Sequence, residues 1–184
     1  MRLKDKVAII TGGSRGIGFA TADAFLREGA KVAVAASSEK NAEAAVEKLK
    51  AIHPDAEVVG ISPNLGSFES VKEEFDKVEK QFGRIDILVN NAGVSESTPF
   101  TSYTEADFDR VIDLNVKGVF NATRAVVDGM IKNHSGVVLN TSSMVSISGQ
   151  PSGFAYPASK FAVNGTTISL ARELGPKRNP CQCS

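Results

Sequence analysis

The stretch Val7-Ala-Ile-Ile-Thr-Gly-Gly-Ser-Arg-Gly-Ile-Gly18 joins a short apolar run to a glycine-rich turn and a helical pattern. An apolar run of this length, bounded by glycine, is typical of a buried strand. Glycines at the start of a helix let the backbone approach a phosphate, and the helix N-terminus supplies N–H donors and positive potential. The stretch predicts a βα unit with a phosphate-binding turn; a tight connection without a ligand is the alternative.

Strand-length apolar runs alternate with helical patterns along the rest of the chain. Strands are predicted at residues 7–11, 32–36, 58–62, 85–89 and 137–141. Helices are predicted from the glycine-rich turn to Glu28, at residues 39–51, 68–82, 107–115 and 119–131, and from Tyr156 to about Leu174. Alternating elements with continuous apolar strands predict an α/β fold, with a doubly wound parallel sheet and helices on both faces.

Length and charge limit the classes of function. The chain has 184 residues, which suits one domain, and 21 basic residues balance 21 acidic ones. Without a basic face, we expect neither a nucleic acid nor a membrane as a partner. The apolar runs are too short to span a bilayer. The charged N-terminus runs straight into a strand, which differs from a signal peptide, so we expect a cytoplasmic protein.

Cysteines and histidines give no sign of a metal site. The two cysteines, Cys181 and Cys183, lie among the last four residues, where they cannot staple a core, and no partner ligands accompany them. His53 and His134 fall in polar stretches between periodic segments. We expect both histidines to lie in surface loops without a chemical role.

The stretch Tyr156-Pro-Ala-Ser-Lys160 places a phenol and an ammonium one helical turn apart. Residues four apart share one face of a helix. A free tyrosine has a pKa of about 10, and a neighbouring ammonium favours its phenolate form. Pro157 suits the first turn of a helix, whose positive end also favours the phenolate. The pair predicts an acid–base device acting at an oxygen; two unrelated residues on an amphipathic helix are the alternative.

With these stretches in order along the chain, the sequence resembles the short-chain dehydrogenase/reductase family. The resemblance extends from Lys4 to about Lys177. It rests on the glycine-rich turn, on Asn90-Asn-Ala-Gly93, on Asn115, and on Ser143 with Tyr156 and Lys160. The family resemblance implies a Rossmann-like fold, a nicotinamide cofactor, and hydride transfer between a carbonyl and a secondary alcohol.

The resemblance also implies a role for each of four catalytic residues. Tyr156 would donate or accept the proton, and Lys160 would bind the nicotinamide ribose and favour the phenolate. Ser143 would hydrogen-bond the substrate oxygen; the family spacing to the tyrosine selects it over Ser142. Asn115 would hold a water that relays protons through Lys160; a helix-breaking polar residue is the alternative.

The same resemblance implies the cofactor site. NADP(H) is favoured over NAD(H), because the position that holds an acid in NAD enzymes is Ala36, while Ser37, Ser38 and Arg15 suit a ribose phosphate. Where the family usually has an aspartate toward the adenine, this chain has Asn64. The predicted cofactor residues, besides Tyr156 and Lys160, are Gly12, Ser14, Arg15, Gly16, Ile17, Gly18, Ser37, Asn64, Leu65, Asn91, Ala92 and Gly93.

The C-terminal end departs from the family pattern. We expect an incomplete dinucleotide-binding and catalytic domain at residues 1–177, and an aberrant tail without a strand pattern at 178–184. Codons compatible with Arg178 to Ser184, taken one base later, encode Ala-Ile-Arg-Val-Asn-Ala, the family's next strand. A one-base frameshift near Lys177 is one hypothesis; a natural short variant is the other. Without the last family strands, the fifth strand would be an exposed edge.

Two classes of function stay open. The first is an oxidoreductase acting on a 3-oxoacyl thioester, a hydroxysteroid or a small carbonyl. Residues 95–104 and 144–154 are expected to flank a partly apolar substrate pocket. Helices 119–131 and 161–174 resemble the family's dimer-forming pair, so we also expect a homo-oligomer. The second is a truncated, inactive nucleotide-binding or dimerising protein.

Overall fold

A six-stranded parallel sheet forms the centre of the computed structural model, which describes residues 1–175 and 182–183. The strands are β1 Val7–Thr11, β2 Lys31–Ala35, β3 Val58–Ile61, β4 Ile87–Asn90, β5 Val137–Asn140 and β6 Gln182–Cys183. The longer helices are α1 Gly16–Arg27, α2 Glu39–Ile52, α3 Phe68–Phe82, α4 Glu105–Ile112, α5 Gly118–Lys132 and α7 Ala155–Leu174, with a four-residue α6 at Val145–Ser148. The predicted α/β, Rossmann-like fold is confirmed.

The strand order positions the site. The sheet runs β3-β2-β1-β4-β5-β6, so the chain moves outward from β1 to β3 and then crosses back to lay β4 on the other side of β1. All paired strands are parallel, and their carboxyl ends therefore lie along one edge. Ligands of open α/β sheets bind at this reversal of strand order, outside the carboxyl ends of the strands.

Side chains of β1 point alternately to two cores. Val7 and Ile9 pack with α3, α5 and α7, in a cluster that includes Phe75. Ala8 and Ile10 pack on the opposite side with α1 and α2, in a cluster that includes Leu49. Successive side chains of a strand face opposite sides of the sheet, so a strand covered on both sides must be apolar throughout. This explains the unbroken apolar runs of the sequence.

The predicted break between helices near Asn115 is wrong. The chain continues from α4 through a π-helical turn, Asp113–Lys117, directly into α5. At its end the N–H of Gly118 donates to the carbonyl of Asp113, five residues back. A π turn inserts one residue into the helical repeat, which shifts the apolar pattern from one face to another and resembles an interruption in sequence.

The predicted exposed edge at β5 is wrong for its first two residues only, since no described residue pairs with Leu139 and Asn140 on that side. Gln182 and Cys183 form a short strand that pairs in parallel with Val137 and Val138. An edge strand offers unpaired N–H and C=O groups to any extended backbone, so pairing needs no apolar pattern in the segment that pairs. The rest of the predicted tail, residues 178–181 and 184, lies outside the described residues.

His53 is more than a surface loop residue. It ends α2, and its Nε2 lies 2.7 Å from a carboxylate oxygen of Asp23 on α1.

Among the described residues, no helix is both long and apolar enough to cross a membrane. Across the same residues, no three His, Cys, Asp or Glu side chains are grouped to hold a metal ion.

Candidate active site

The glycine-rich turn lies at the carboxyl end of β1 and leaves the start of α1 open. Arg15, the N-cap residue of α1, makes no side-chain cap, and the first turn of α1 carries no acid. By contrast, α2, α3 and α4 each begin with a serine or threonine cap and an acidic residue. The uncapped N–H groups and uncompensated positive end of α1 suit an anion such as a pyrophosphate.

Two glycines keep this turn accessible. Gly16 has a φ of +55° and no atom within 4 Å of where a Cβ would stand, so its face is open. A Cβ on Gly18 would collide with the carbonyl of Gly12 and the amide of Asn91. The Asn91 amide donates to the carbonyls of Thr11 at 3.1 Å and Gly12 at 3.2 Å, and thus ties the turn to the end of β4.

A cavity of about 900 Å³ extends from this turn across the ends of β2, β3 and β4. Gly18, Tyr156 and Lys160 are the predicted cofactor residues that do not line it, and Gly18 instead packs beneath the turn. The glycine-rich turn, the carboxyl ends of the strands and the uncapped start of α1 meet in this cavity. The residues present therefore fit a dinucleotide. The predicted residues that line it are Gly12, Ser14, Arg15, Gly16, Ile17, Ser37, Asn64, Leu65, Asn91, Ala92 and Gly93.

The wall of the cavity formed by α2 was not predicted from the sequence. Asn41, Ala44 and Lys48 of α2 line it beside Ser37. These positions recur at helical spacing, a signal that indicates a shared face but not which face turns toward a ligand. Arg15 and Lys48 therefore bring two exposed cations to one cavity.

Ser37 and Ser38 differ in availability. The Ser38 oxygen caps α2 by accepting from the N–H of Asn41 at 3.3 Å. Ser37 is exposed, and its hydroxyl accepts from the Asn41 side chain at 3.4 Å. Asn64 is partly committed as well, since its side-chain oxygen accepts from the N–H of Gly66 at 3.0 Å.

Tyr156 and Lys160 share one face at the start of α7, as predicted. The Lys160 Nζ lies 5.7 Å from the centre of the Tyr156 ring and donates to the carbonyl of Thr141 at 2.7 Å. Lys160 is 6% exposed. Burial lowers the pKa of its ammonium, because the low-dielectric surroundings disfavour the charged form.

The backbone of Tyr156 is held on both sides. Its N–H faces a carboxylate oxygen of Glu96 at 3.4 Å. Its carbonyl accepts from the hydroxyl of Ser159 at 2.7 Å, and that hydroxyl accepts from the amide of Asn115 at 3.0 Å. Tyr156 is therefore fixed by its main chain, while its ring is half-buried.

Asn115 lies inside the π-helical turn and is 1% exposed. Its side chain accepts from the N–H of Val94 and donates to the carbonyl of Val94, both at 2.9 Å. With the bond to Ser159, both amide protons are used. The Asn115 side chain thus joins the loop after β4 to α7, and the predicted water relay stays a prediction.

Ser143 lies on the loop after β5, half-buried, and its hydroxyl accepts only a long contact from the N–H of Val145 at 3.4 Å. The Ser142 hydroxyl instead donates to Ser146 at 3.2 Å. Ser143 therefore has the freer hydroxyl of the two, and its choice over Ser142 stays a prediction.

Exposed apolar side chains lie close in sequence to Ser143 and Tyr156. Met144 and Ile147 are 82% and 83% exposed. Phe154 packs against Phe100 and Phe108, with ring centres 5.3 Å and 6.3 Å apart. Large apolar groups left this exposed often mark a ligand or partner surface.

Comparison with known proteins identifies the family. A model of the short chain dehydrogenase family matches residues 6–181. A 3alpha-hydroxysteroid dehydrogenase of Mediterraneibacter gnavus is 53% identical over 175 residues, which cover 95% of this chain and 70% of that protein. The 3-oxoacyl-[acyl-carrier-protein] reductase FabG of Thermotoga maritima is 41% identical over 174 residues, with coverage of 95% and 70%.

Solved structures of a reductase and a dehydrogenase have the same fold. Levodione reductase superposes with a TM-score of 0.91 at 36% identity, covering 96% of this chain and 69% of that one. NAD⁺-bound xylitol dehydrogenase gives 0.91 at 33% identity, with coverage of 96% and 68%. The chain belongs to the short-chain dehydrogenase/reductase family of NAD(P)-dependent oxidoreductases.

Proposed function

We propose that this short-chain dehydrogenase interconverts a ketone and a secondary alcohol with NADP(H), and that Tyr156 exchanges the proton with the substrate oxygen. One observation carries the proposal. The Tyr156 ring lies 5.7 Å from the buried ammonium of Lys160, and Lys160 is bound to the loop that carries Ser143. This arrangement brings an acid–base group, its cationic partner and a hydroxyl donor to one end of the sheet.

The glycine-rich turn would hold the pyrophosphate of the cofactor, and Asn91, Ala92 and Gly93 would line the adenosine side. When bound, the nicotinamide ring supplies or accepts the hydride. Arg15, Ser37 and Lys48 would favour a ribose phosphate, and Ala36 places no carboxylate there to repel it. We therefore propose a preference for NADP(H), with NAD(H) as the weaker cofactor.

The proton would move at the phenol. In reduction, Tyr156 gives its proton to the forming alkoxide, while the Ser143 hydroxyl donates a hydrogen bond to the same oxygen. Lys160 favours the phenolate that results, since an adjacent ammonium stabilises an anion. The buried position of Lys160 strengthens this interaction, because water has little access to the ammonium.

We propose a bulky apolar substrate of the hydroxysteroid class. The support is the exposed surface of Met144, Ile147 and Phe154, together with the 53% identity to a 3alpha-hydroxysteroid dehydrogenase. A 3-oxoacyl thioester is the second candidate, on the 41% identity to FabG. A nucleotide-binding protein without catalysis is the alternative from another class.

The test offers the purified chain NADPH or NADH with a 3-oxosteroid or a 3-oxoacyl thioester, and follows the loss of reduced nicotinamide. We expect oxidation of NADPH with the steroid, and a rate lower by about 10² or more with Tyr156→Phe. Faster turnover of the thioester than of the steroid would favour the 3-oxoacyl thioester as the substrate class. NADPH binding without turnover of any carbonyl would favour the non-catalytic alternative.

We also propose that the protein is a homo-oligomer through α5 and α7. Phe120 on α5 and Phe161 and Ile168 on α7 are 59%, 51% and 59% exposed. Pairing these faces between copies would bury them. Sedimentation of the wild type and of Phe161→Glu checks this: we expect a smaller species for the variant, and a monomeric wild type would reject the proposal.

A further inference from the structure

The face of α7 that carries Tyr156 and Lys160 continues one turn further to Asn164. Residues four apart stack along one face of a helix, so the three polar side chains form a row. Two of them contact the loop after β5. Lys160 donates to the carbonyl of Thr141 at 2.7 Å, and the Asn164 amide donates to the hydroxyl of Ser146 at 2.9 Å.

Ser146 connects Asn164 to Ser143 through its hydroxyl. Its side chain is buried, with the residue 4% exposed, and its hydroxyl donates to the carbonyl of Ser143 at 2.6 Å. The same oxygen accepts from Asn164 and from the hydroxyl of Ser142. A hydroxyl has one proton and two lone pairs, so all the hydrogen-bonding capacity of Ser146 is used within the protein. It has none left for a substrate.

The two contacts bracket Ser143. Thr141 is bound two residues before it and Ser146 three residues after it, both to the same helix. The Ser143 hydroxyl itself has only the 3.4 Å contact from Val145. The four-residue helix α6 that follows is too short to hold its own position, since isolated helices of this length are unstable. The place of Ser143 relative to Tyr156 therefore depends on the attachment to α7.

We propose that Ser146 and Asn164 are positioning residues, which hold the backbone of Ser143 at the separation from Tyr156 that carbonyl reduction requires. The inference rests on the proposed function, because Ser143 has a defined partner only in that reaction. Neither residue contacts the substrate oxygen. We call the connection Asn164–Ser146–Ser143 the bridge: the Asn164 amide donates to the Ser146 hydroxyl, and that hydroxyl donates to the Ser143 carbonyl, which also accepts from the N–H of Ser146 at 3.0 Å.

The bridge should matter for rate rather than for cofactor binding. A misplacement of about 1 Å at a reacting group can cost about 10² in rate. Ser146→Ala leaves the Ser143 carbonyl without its hydroxyl donor and the Asn164 amide without its acceptor. We expect kcat to fall about 10- to 100-fold, with KM for NADPH unchanged within about twofold.

The deciding experiment is a double-mutant cycle. Ser146→Ala is made in the wild type and in Ser143→Ala, and turnover is measured with NADPH and the best carbonyl substrate. If Ser146 acts by positioning Ser143, its removal has an effect below about twofold once the Ser143 hydroxyl is absent. An equal loss in both backgrounds would overturn the proposal, since it indicates damage unrelated to Ser143.

Two further variants separate positioning from stability. Ser146→Thr keeps the hydroxyl and should recover most of the lost kcat. Thr166→Ala is the matched control, because Thr166 lies on α7 two residues after Asn164 but its hydroxyl donates to the carbonyl of Ala162 in the same helix. We expect wild-type kcat for it. A loss equal to that of Ser146→Ala would count against the bridge.

A readout independent of turnover tests the bridge if no carbonyl is reduced. Amide hydrogen exchange of the peptide spanning residues 142–148 is compared among wild type, Ser146→Ala and Thr166→Ala. We expect faster exchange only in Ser146→Ala, because the loop is then detached from Asn164. Unchanged exchange in that variant would reject the bridge. Failure of turnover in every form, with the exchange difference present, would reject the proposed reaction and leave the attachment standing.

Discussion

A carboxylate oxygen of Glu96 lies 3.4 Å from the peptide N–H of Tyr156, across 60 residues of sequence. The other oxygen of Glu96 accepts from the N–H of Thr98 at 3.2 Å. The N-cap residue of α7, Phe154, makes no side-chain cap. Glu96 therefore supplies to α7, from a distant loop, the acceptor that a local serine or aspartate supplies to most helices.

The loop that carries Glu96 is bound to the segment before α7. The Gln150 amide donates to the carbonyls of Glu96 and Gly153, and the N–H of Gly153 donates to the carbonyl of Thr98 at 3.0 Å. The hydroxyl of Tyr103 is buried nearby. Burial first, and then the nearby negative charge of Glu96, raises the pKa of the Tyr103 phenol, so it keeps its proton at neutral pH.

Glu96→Ala should destabilise the start of α7. Loss of a helix cap costs about 1 kcal/mol, and urea unfolding followed by circular dichroism measures it. Glu96→Gln keeps one acceptor oxygen and should lose less. Ser97→Ala, at an exposed neighbouring position, is the control. Equal stability of Glu96→Ala and Ser97→Ala would show that the long contact to Tyr156 has no energetic weight.

Tyr156→Phe should lower turnover by about 10² or more, the scale of lost general acid catalysis. Its Kd for NADPH should stay close to that of the wild type, because the backbone bonds to Glu96 and Ser159 do not involve the phenol. Steady-state kinetics and a fluorescence titration measure the two quantities. Turnover near the wild-type value would remove Tyr156 from the proposed reaction.

Arg15→Ala and Lys48→Ala should each weaken NADPH binding more than NADH binding, because the ribose phosphate is the only charge difference between the cofactors. Calorimetric titration of each variant with both cofactors measures this. Lys50→Ala, an exposed position of α2 outside the lining of the cavity, is the control. An equal loss of affinity for NADPH and NADH in either variant would mean that the altered side chain does not recognise the ribose phosphate.

Lys160→Met should be at least as stable as the wild type at neutral pH and inactive. Burial lowers the pKa of Lys160, whereas an unfolded lysine titrates near 10.4. Between these two values the unfolded chain binds more protons, so the stability of the wild type rises with pH. Lys160→Met lacks this dependence.

The free-energy difference between Lys160→Met and the wild type should therefore move in favour of the wild type as pH rises from 7 toward about 10. Urea unfolding at both ends of this range measures it, with Lys50→Met as the exposed control. A pH-independent difference would mean that burial of the Lys160 ammonium does not affect folding.

Features that depend on neighbouring residues could be predicted from the sequence. The run from Val7 to Gly18 predicted a strand, a glycine turn and a helix, because apolar periodicity and glycine act within a few residues. Tyr156 and Lys160 were predicted on one face because helical geometry alone relates positions four apart. The order of the family motifs then indicated which residues meet at the carboxyl edge of the sheet.

Contacts between distant segments became apparent only in the folded chain. Glu96 reaches Tyr156, and Ser146 joins Ser143 to Asn164, because the loops after β4 and β5 lie beside α7 in the packed sheet. Lys48 lines the cavity beside the glycine-rich turn because α2 packs with that face toward the turn. No local pattern encodes these pairings, since they depend on how whole elements pack, and a single polar side chain looks the same in sequence whether it faces solvent or a partner.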